Sequence, residues 1–469
     1  MTRHAVLYLT ASALSLLGNS VVAVALPLLV LLRTGSATSA GTVALATAVP
    51  AILVGIVGGL VIDRVGRRRA SIVSDVVSAG AVAALPVVDL LTGLDLGWFV
   101  ALGILGAIGD VPGMTAREAL VPAVSRSSGV ALERLVGIRE SIEAGVMVIG
   151  PALAGALLVT LGETTVLWVT AATSALAALV TALLPRALDA LPAQPDGGDA
   201  RDRSAARDGS VATPMLPGRG GRARAALRRS SDELRAGLAV VSGDRLLLGG
   251  TLLSLGSLLG LASLQGIVLP VHFTTIGEPG RLGLVLSAMA AGLLVGATLY
   301  SAVGARLSPR TVFVASMLGL GAGVVGTSLL PVTWLLLASA GVAGVASGLM
   351  NPVLQVAMMR RTPEAARGRV LGLQGSAMMA VAPVAVFGAG LLIDAAGLRT
   401  TGVVVALGFG VVVALGVLSP ALRRIGDGDG EAAGGTTASD GVDLADDVRD
   451  TRVLPTAAPA DGSPHAGGT

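Results

Sequence analysis

Long apolar runs broken by short polar punctuation dominate this chain. Read against turn and charge signals, the runs predict twelve helices near residues 5–32, 38–62, 70–92, 97–120, 136–160, 164–184, 244–272, 281–304, 311–330, 332–358, 370–394 and 400–420. Each has roughly the 20 residues that cross a ~30 Å hydrocarbon core. Hydrophobic residues make up 53% of the 469, and the mean hydropathy is +0.80, far more apolar than one soluble core needs. The expected fold class is therefore an all-α membrane protein crossing the bilayer many times.

Charge placement orients these helices. The stretch Gly59 to Arg69 is a dense charged turn between the second and third runs, with Arg64, Arg67, Arg68 and Arg69 in eleven residues. Loops on the cytoplasmic side accumulate such charge. The chain has no lysine, so all 33 basic residues are arginines, and only Arg33, Arg281 and Arg399 fall in predicted outer loops. Both termini are accordingly expected in the cytoplasm and the protein in the cell membrane. Trp98, Trp168 and Trp334 begin even-numbered helices at the outer boundary, where indole rings prefer the interface. The first apolar stretch, from Ala5 to Leu32, is too long for a signal peptide and is read as a retained anchor.

Composition removes several classes of function. Without cysteine there is no thiolate chemistry, and three scattered histidines (His4, His272, His465) supply no metal cluster; no cofactor is expected. A net charge of +3, with arginines where membrane orientation needs them, gives no nucleic-acid surface. A phosphate-binding Walker loop requires a lysine, which excludes a primary pump of that type. No catalytic constellation is visible at either interface, so an enzyme is not expected.

Residues 187–232, rich in Pro, Gly, Asp and Arg, read as a disordered cytoplasmic linker that divides the chain into bundles at 1–186 and 233–424. The second bundle is led in by a short amphipathic helix. Its start is marked by a capping box from Ser230 to Glu233, and Leu234, Leu238 and Val241 form one stripe. The tail, 425–469, carries nine acids against two arginines and is expected to be unstructured. The two bundles resemble each other. Pro27 and Pro270 are 243 apart, Arg64 and Arg306 242, Pro112 and Pro352 240, and the series continues through Pro122 with Pro363, Gly137 with Gly372, and Pro151 with Pro383. An ordered series of this kind marks a duplicated six-helix unit.

On these residues the chain resembles a twelve-helix transporter of the major facilitator superfamily, two pseudo-symmetric six-helix bundles covering nearly all of residues 5–422. Gly59, Asp63, Arg64, Gly66, Arg67 and Arg68 match the family's helix 2–3 signature, with Val61 where leucine is usual. The stretches from Ala116 to Pro122, Gly150 to Gly155 and Arg367 to Val370 are similar to the macrolide and siderophore exporter branch. The helix 5 antiporter signature is partial: Gly145 lies one residue too far from Gly150 and Pro151, and Ala154 replaces a glycine ahead of Gly155. The resemblance implies drug/proton exchange, a monomer, and a cytoplasmic gate built from the helix 2–3 residues and Arg117.

Read physically, Asp63 ends a helix whose dipole disfavours a carboxylate there, so it needs a partner. Arg117 and the amino end of helix 11 near Val370 are the available ones; the bland alternative is a solvated loop carboxylate. Ala305 stands in the matching place of the second half. Deeper acids are Asp110, about 20 Å from the outer boundary at 1.5 Å per residue, Glu143 at ~10 Å and Asp75 at ~8 Å from the inner one. Buried charges cost several kcal/mol unless paired or hydrated, and desolvation raises a carboxylate's proton affinity, so Asp110, Glu143, Glu140, Asp75 and Arg139 are the candidates for proton coupling. Arg139 and Glu143, spaced i to i+4, can equally just neutralise each other. Asn19, Gln265, Asn351, Gln355 and Gln374 are the cavity candidates, each also able to serve as an interhelical hydrogen bond. Glycine pairs, Gly256/Gly260, Gly292/Gly296, Gly319/Gly323 and Gly344/Gly348 as well as Gly55/Gly59, predict close helix packing. The leading expectation is proton-driven export of amphipathic small molecules by alternating access. A uniporter or importer of the same fold, and a non-transporting sensor or scaffold, are the competing readings.

Overall fold

The structure is a computed structural model. It describes residues 2–189, 235–330, 332–363 and 366–423, without the side chains of 56–61, 63, 64, 189, 303, 305, 421 and 423. Of the proposed linker only residues 187–189 are described, in a 3-10 turn with Leu188 buried; its remainder, the capping box and the acidic tail lie outside the described residues.

Among the described residues there are no strands and eleven helices long and apolar enough to cross a membrane. One of them, Leu132–Ala182, has 51 residues and is broken at Gly162, whose φ of 77° and ψ of 171° no helix contains. Ser20 of the first helix faces Gly150, before the break, and Gly18 of the same helix faces Thr173 and Ser174, after it, so the chain reverses at Gly162. Twelve spans follow. They are α1 (Arg3–Thr34), α2 (Ala37–Val65), α3 (Arg67–Leu91), α4 (Leu96–Ser128), α5 (132–161), α6 (163–182), α7 (Arg245–Thr275), α8 (Arg281–Val303), α9 (Pro309–Ser328), α10 (Thr333–Arg361), α11 (Arg367–Ala396) and α12 (Leu398–Leu418).

Two expectations change. Helix α4 does not stop near residue 120 but runs through Pro122 to Ser128, where Gly129 adopts a left-handed φ of 66° and ends it. The charged turn after α2 shrinks to one residue. Gly66, at φ 92° and ψ 142°, is the only non-helical position between α2 and α3, so Arg67, Arg68 and Arg69 form the first turn of α3 rather than a loop. Gly397 does the same between α11 and α12, at φ 86° and ψ 161°. Gly162 and Gly397 are 235 residues apart, the offset of Gly137 and Gly372, so this one-glycine reversal belongs to the duplicated unit.

Helices pack where glycine lets backbones meet. Gly344 and Gly348 of α10 press on the carbonyls of Met289 and Leu293 in α8, and Gly292 and Gly296 of α8 return the contact at Gly341 and Val345. Gly323 of α9 lies against Ala343, and Gly256 and Gly260 of α7 receive Val412 and Phe409 of α12. In hydrocarbon this close approach replaces the hydrophobic drive that packs soluble cores. In α7 a π-helical turn, Leu264–Val268, precedes Pro270, whose missing N–H loosens the ladder there. A short helix over 235–243 leads into α7 and rests its Gly237 on the Arg369 carbonyl of α11. Its predicted apolar stripe is split: Val241 is buried while Leu238 is exposed.

The halves touch at the end of the bundle that carries the α1–α2 turn. There α2 meets α11, with Gly41 on Phe387 and Gly390 on the Ala37 carbonyl, and α5 meets α8, with Gly155 on Gly280 and Gly283. Ion pairs also gather at this end. Arg33 binds Asp89 at 2.9 Å and Glu163 at 3.4 Å, and Arg281 binds Glu278 at 2.7 Å. Two of the three arginines set apart by the charge pattern are thus neutralised locally.

Gly162→Ala and Gly397→Ala should each destabilise the fold by about 1–3 kcal/mol, because their φ/ψ region is essentially reserved for glycine. Gly372→Ala, whose added methyl meets nothing within 4 Å, should be tolerated; thermal unfolding in detergent distinguishes them. Gly344→Leu should cost about 1–3 kcal/mol or more through overpacking against α8, seen as a loss of the folded protein's peak on size exclusion.

Candidate functional site

A seam of polar side chains runs through the first bundle. On α1 it comprises Tyr8, Ser12, Ser15 and Asn19, spaced four, three and four residues and so on one face. On α3 it comprises Ser71, Ser74, Asp75 and Ser78, and on α4 Asp110 and Arg117, seven residues apart. Helix α6 adds Thr170, Ser174 and Thr181. Gly109 and Gly113 of α4 allow the approach: Ser74 donates to the Gly109 carbonyl, and a side chain at Gly113 would collide with Ser74.

The centre of the seam is a buried ion pair. Arg117 Nη1 lies 2.8 Å from Asp75 Oδ1, with both side chains less than a tenth exposed. Ser15 donates to the same carboxylate oxygen at 3.0 Å, and Tyr8 donates to the Arg117 carbonyl at 3.1 Å. The second oxygen, Asp75 Oδ2, is buried with no partner among the described residues. Breaking such a pair from one side leaves an uncompensated charge, which typically costs about 3–5 kcal/mol.

Beside the pair lies a cavity of about 250 Å³ walled by α1, α2, α3, α4 and α6. Its lining is apolar apart from a few hydroxyls, Asn19, and one charged group, Asp110. Ser78 hydrogen-bonds Asp110, and Arg117 and Asp75 are its charged neighbours. The cavity therefore joins an apolar chamber to a carboxylate, and that carboxylate to the buried ion pair.

The other candidates divide clearly. Arg117, expected beside Asp63, is bound to Asp75; the side chains of Asp63 and Arg64, and the surroundings of Gly59, lie outside the described residues. Arg67 donates to the Ala119 carbonyl of α4 at 3.1 Å, and Arg68 to the Ala182 carbonyl at the end of α6 at 2.5 Å. Both thus tie helices of their own half together, and Arg68 satisfies a helix-end carbonyl. Arg139 pairs with Glu118 at 3.1 Å and with Glu143 at 3.7 Å, the mutual neutralisation allowed by their spacing. Glu140 and Glu143 are exposed. In the second half Gln374 donates to Thr251 at 2.9 Å as an interhelical bond, and with Gln355 lines a void of about 30 Å³. Gln265 lines one of about 10 Å³, and Asn351 is exposed without a hydrogen bond among the described residues. Asn19 alone of the amides faces a chamber of useful size.

Two residues that sequence reasoning passed over join the halves. The Ser287 hydroxyl of α8 donates to the Val148 carbonyl and accepts from the Ala152 N–H at 3.0 Å, so it bridges one helical turn of α5 beside Pro151. The Gly150 to Gly155 stretch of the helix 5 signature, whose glycines and Pro151 suggest a hinge, is thus a seat for the other half. Asp394, near the end of α11, accepts from Ser36 Oγ at 2.8 Å and from the Ala37 and Thr38 backbone N–H groups at 3.1 and 2.9 Å. It supplies the anion that the start of α2 favours. A proline that asks for a partner was legible in the sequence; which distant hydroxyl answers it was not.

A family model described as Major Facilitator Superfamily matches residues 8–269 and 250–437. The multidrug efflux pump Tap of Mycolicibacterium fortuitum is 31% identical over 413 residues, 87% of this chain and 93% of that protein. Its namesake in Mycobacterium tuberculosis (strain ATCC 25618 / H37Rv) is 30% identical over 424 residues, 90% of this chain and 94% of that protein. Among solved structures, a bacterial homologue of the human lysosomal transporter Spinster, in an inward-facing and unoccupied conformation, aligns with a TM-score of 0.63 at 13% identity, covering 91% of this chain and 97% of that one. A bacterial homologue of the iron transporter ferroportin in an inward-facing state aligns at 0.59 and 16% identity, covering 88% and 98%. These likenesses, with the twelve spans and the duplicated unit, make the chain a member of the major facilitator superfamily, a multi-pass membrane transporter of a small-molecule substrate.

Proposed function

We propose that this protein exports amphipathic small molecules across the cell membrane in exchange for protons, with the chamber around Asn19 and Asp110 as the substrate site. The observation that carries the proposal is the single carboxylate in an apolar chamber, set next to a buried Asp75–Arg117 pair. The efflux pumps that share about 30% of this sequence support the direction of transport. Asp75, Asp110 and Arg117 sum to −1 with both acids ionised and to zero with one proton. A proton and a positive group on a substrate are therefore interchangeable occupants, which is what exchange requires.

Proton arrival at Asp75 would strand the Arg117 charge unless Asp110, two turns along the same helix, takes it over. That shift moves charge between the chamber and the α3–α4 contact, and so links occupancy to conformation. With both termini and the arginine-rich turn in the cytoplasm, contacts at the α1–α2 end close the outer side. The state described is then open to the cytoplasm. Asp394 on the start of α2 and Ser287 on the Val148–Ala152 turn of α5 are the outer catches. The helix 2–3 residues, Asp63 foremost, serve the opposite gate when the transporter turns outward, and the chain works as a monomer.

Asp110→Asn should fold normally and abolish uphill, uncoupler-sensitive efflux while retaining downhill flux of preloaded dye; intact pH-gradient-driven efflux in this variant would defeat the proposal. Asp75→Asn should lower thermal stability by about 3–5 kcal/mol through the unpaired arginine. The double change Asp75→Leu with Arg117→Leu should recover stability without recovering coupled transport. Asp394→Ala should release the outer catch. A cysteine at Ala40, a position only 4% exposed here, should then react severalfold faster with a membrane-impermeant maleimide added outside, and an unchanged rate would show that Asp394 holds nothing shut.

A further inference from the structure

At the arginine-rich end of the second bundle, where α7, α10 and α12 come together, lie two adjoining cavities of about 460 and 450 Å³ that the transport cycle above does not use. They share Gly249, Leu252, Ser419 and Pro420 and so form one groove. Its mouth holds Arg245, the first residue of α7, and Arg361, the last of α10. Its floor is apolar, with Leu252, Leu415 and Gly416 facing one another across α7 and α12. Gly249 leaves room beside Leu422, the nearest atom to an added methyl there being 3.7 Å away.

The groove opens outward. Leu252 is 59% exposed, Leu415 65% and Leu418 61%, and no lining residue comes from the first bundle. In a membrane this surface faces hydrocarbon, not the space between the halves. Both arginines are exposed, and among the described residues neither makes a side-chain hydrogen bond or ion pair. The one acid at the mouth, Asp244, is already committed: its Oδ1 accepts from the Leu246 and Leu247 N–H groups at 2.7 and 3.0 Å and caps α7. The mouth is therefore positive, and the adjoining floor fits a hydrocarbon chain.

A ligand matching both parts carries an anionic phosphate at membrane depth and an acyl chain beneath it. Guanidinium groups hold phosphate oxygens in a planar fork. Basic pockets between spanning helices at the cytoplasmic side take anionic headgroups. We infer that the α7–α12 groove is a binding site for an anionic glycerophospholipid, its phosphate held by Arg245 and Arg361 and one acyl chain lying along Leu252 and Leu415. This inference is independent of the substrate chamber and of the coupling ion.

The test is native mass spectrometry of the purified full-length chain titrated with phosphatidylglycerol or phosphatidylcholine. Phosphatidylglycerol should be retained in preference, and Arg245→Gln and Arg361→Gln should each weaken its retention by about fivefold. Arg399→Gln, at the opposite end, should leave it unchanged. Leu252→Trp should lower retention with both arginines intact, because it fills the floor, and excess inorganic phosphate should not displace the lipid. Equal retention of the two lipids, unchanged retention in both arginine variants, or displacement by inorganic phosphate would each overturn the inference. So would a full-length chain that takes up no phosphatidylglycerol, since its own acidic tail would then be the better occupant of the mouth.

Discussion

A hydrocarbon core offers no partner to a polar group, and that constraint organises every part of this protein. Backbone N–H and C=O groups are satisfied inside helices, and what cannot be satisfied locally is turned inward. Arg68 reaching the last carbonyl of α6, Asp394 capping α2 and Ser287 bridging Val148 and Ala152 beside Pro151 are three answers to one demand. Each also ties one helix to another, so satisfying the backbone and assembling the bundles are the same act.

The same constraint makes the polar seam informative. Asp75, Arg117, Ser15 and Asp110 sit in the first bundle at a cost that apolar residues would not incur. Among the described residues the second bundle, although a copy of the same unit, keeps amides and hydroxyls but no acid at comparable depth, and Gln374 is spent on Thr251. Duplication supplied a symmetric frame; charge was concentrated in one half of it.

Glycine does two separate jobs here. At Gly66, Gly162 and Gly397 it permits a backbone angle that reverses the chain within one residue. At Gly155, Gly283, Gly344 and Gly348 it permits contact between backbones. The first sort pins the topology, and the second sets how smooth the sliding faces are. Sequence pattern pointed to the second sort through spacings of four. It did not separate the first, because a glycine at a helix junction and one on a helix face look alike until the angles are known.

Span number, the duplicated unit and the family were legible in the amino-acid sequence, because they depend on length, hydropathy and the spacing of repeated residues, all read along the chain. So was the Arg139–Glu143 pair, four residues apart on one helix. Which acid holds Arg117 was not legible: Asp75 and Asp63 are both on neighbouring elements, and the close approach of α3 and α4 that Gly109 and Gly113 allow sets Arg117 Nη1 2.8 Å from Asp75. Nor was the joining of Ser36 to Asp394 across 358 residues, or of Ser287 to the Val148–Ala152 turn of α5. Hydrophobicity decides that a segment enters the membrane, but partners for buried polar groups are chosen by three-dimensional packing, and only the tertiary structure brings those distant residues within hydrogen-bonding reach.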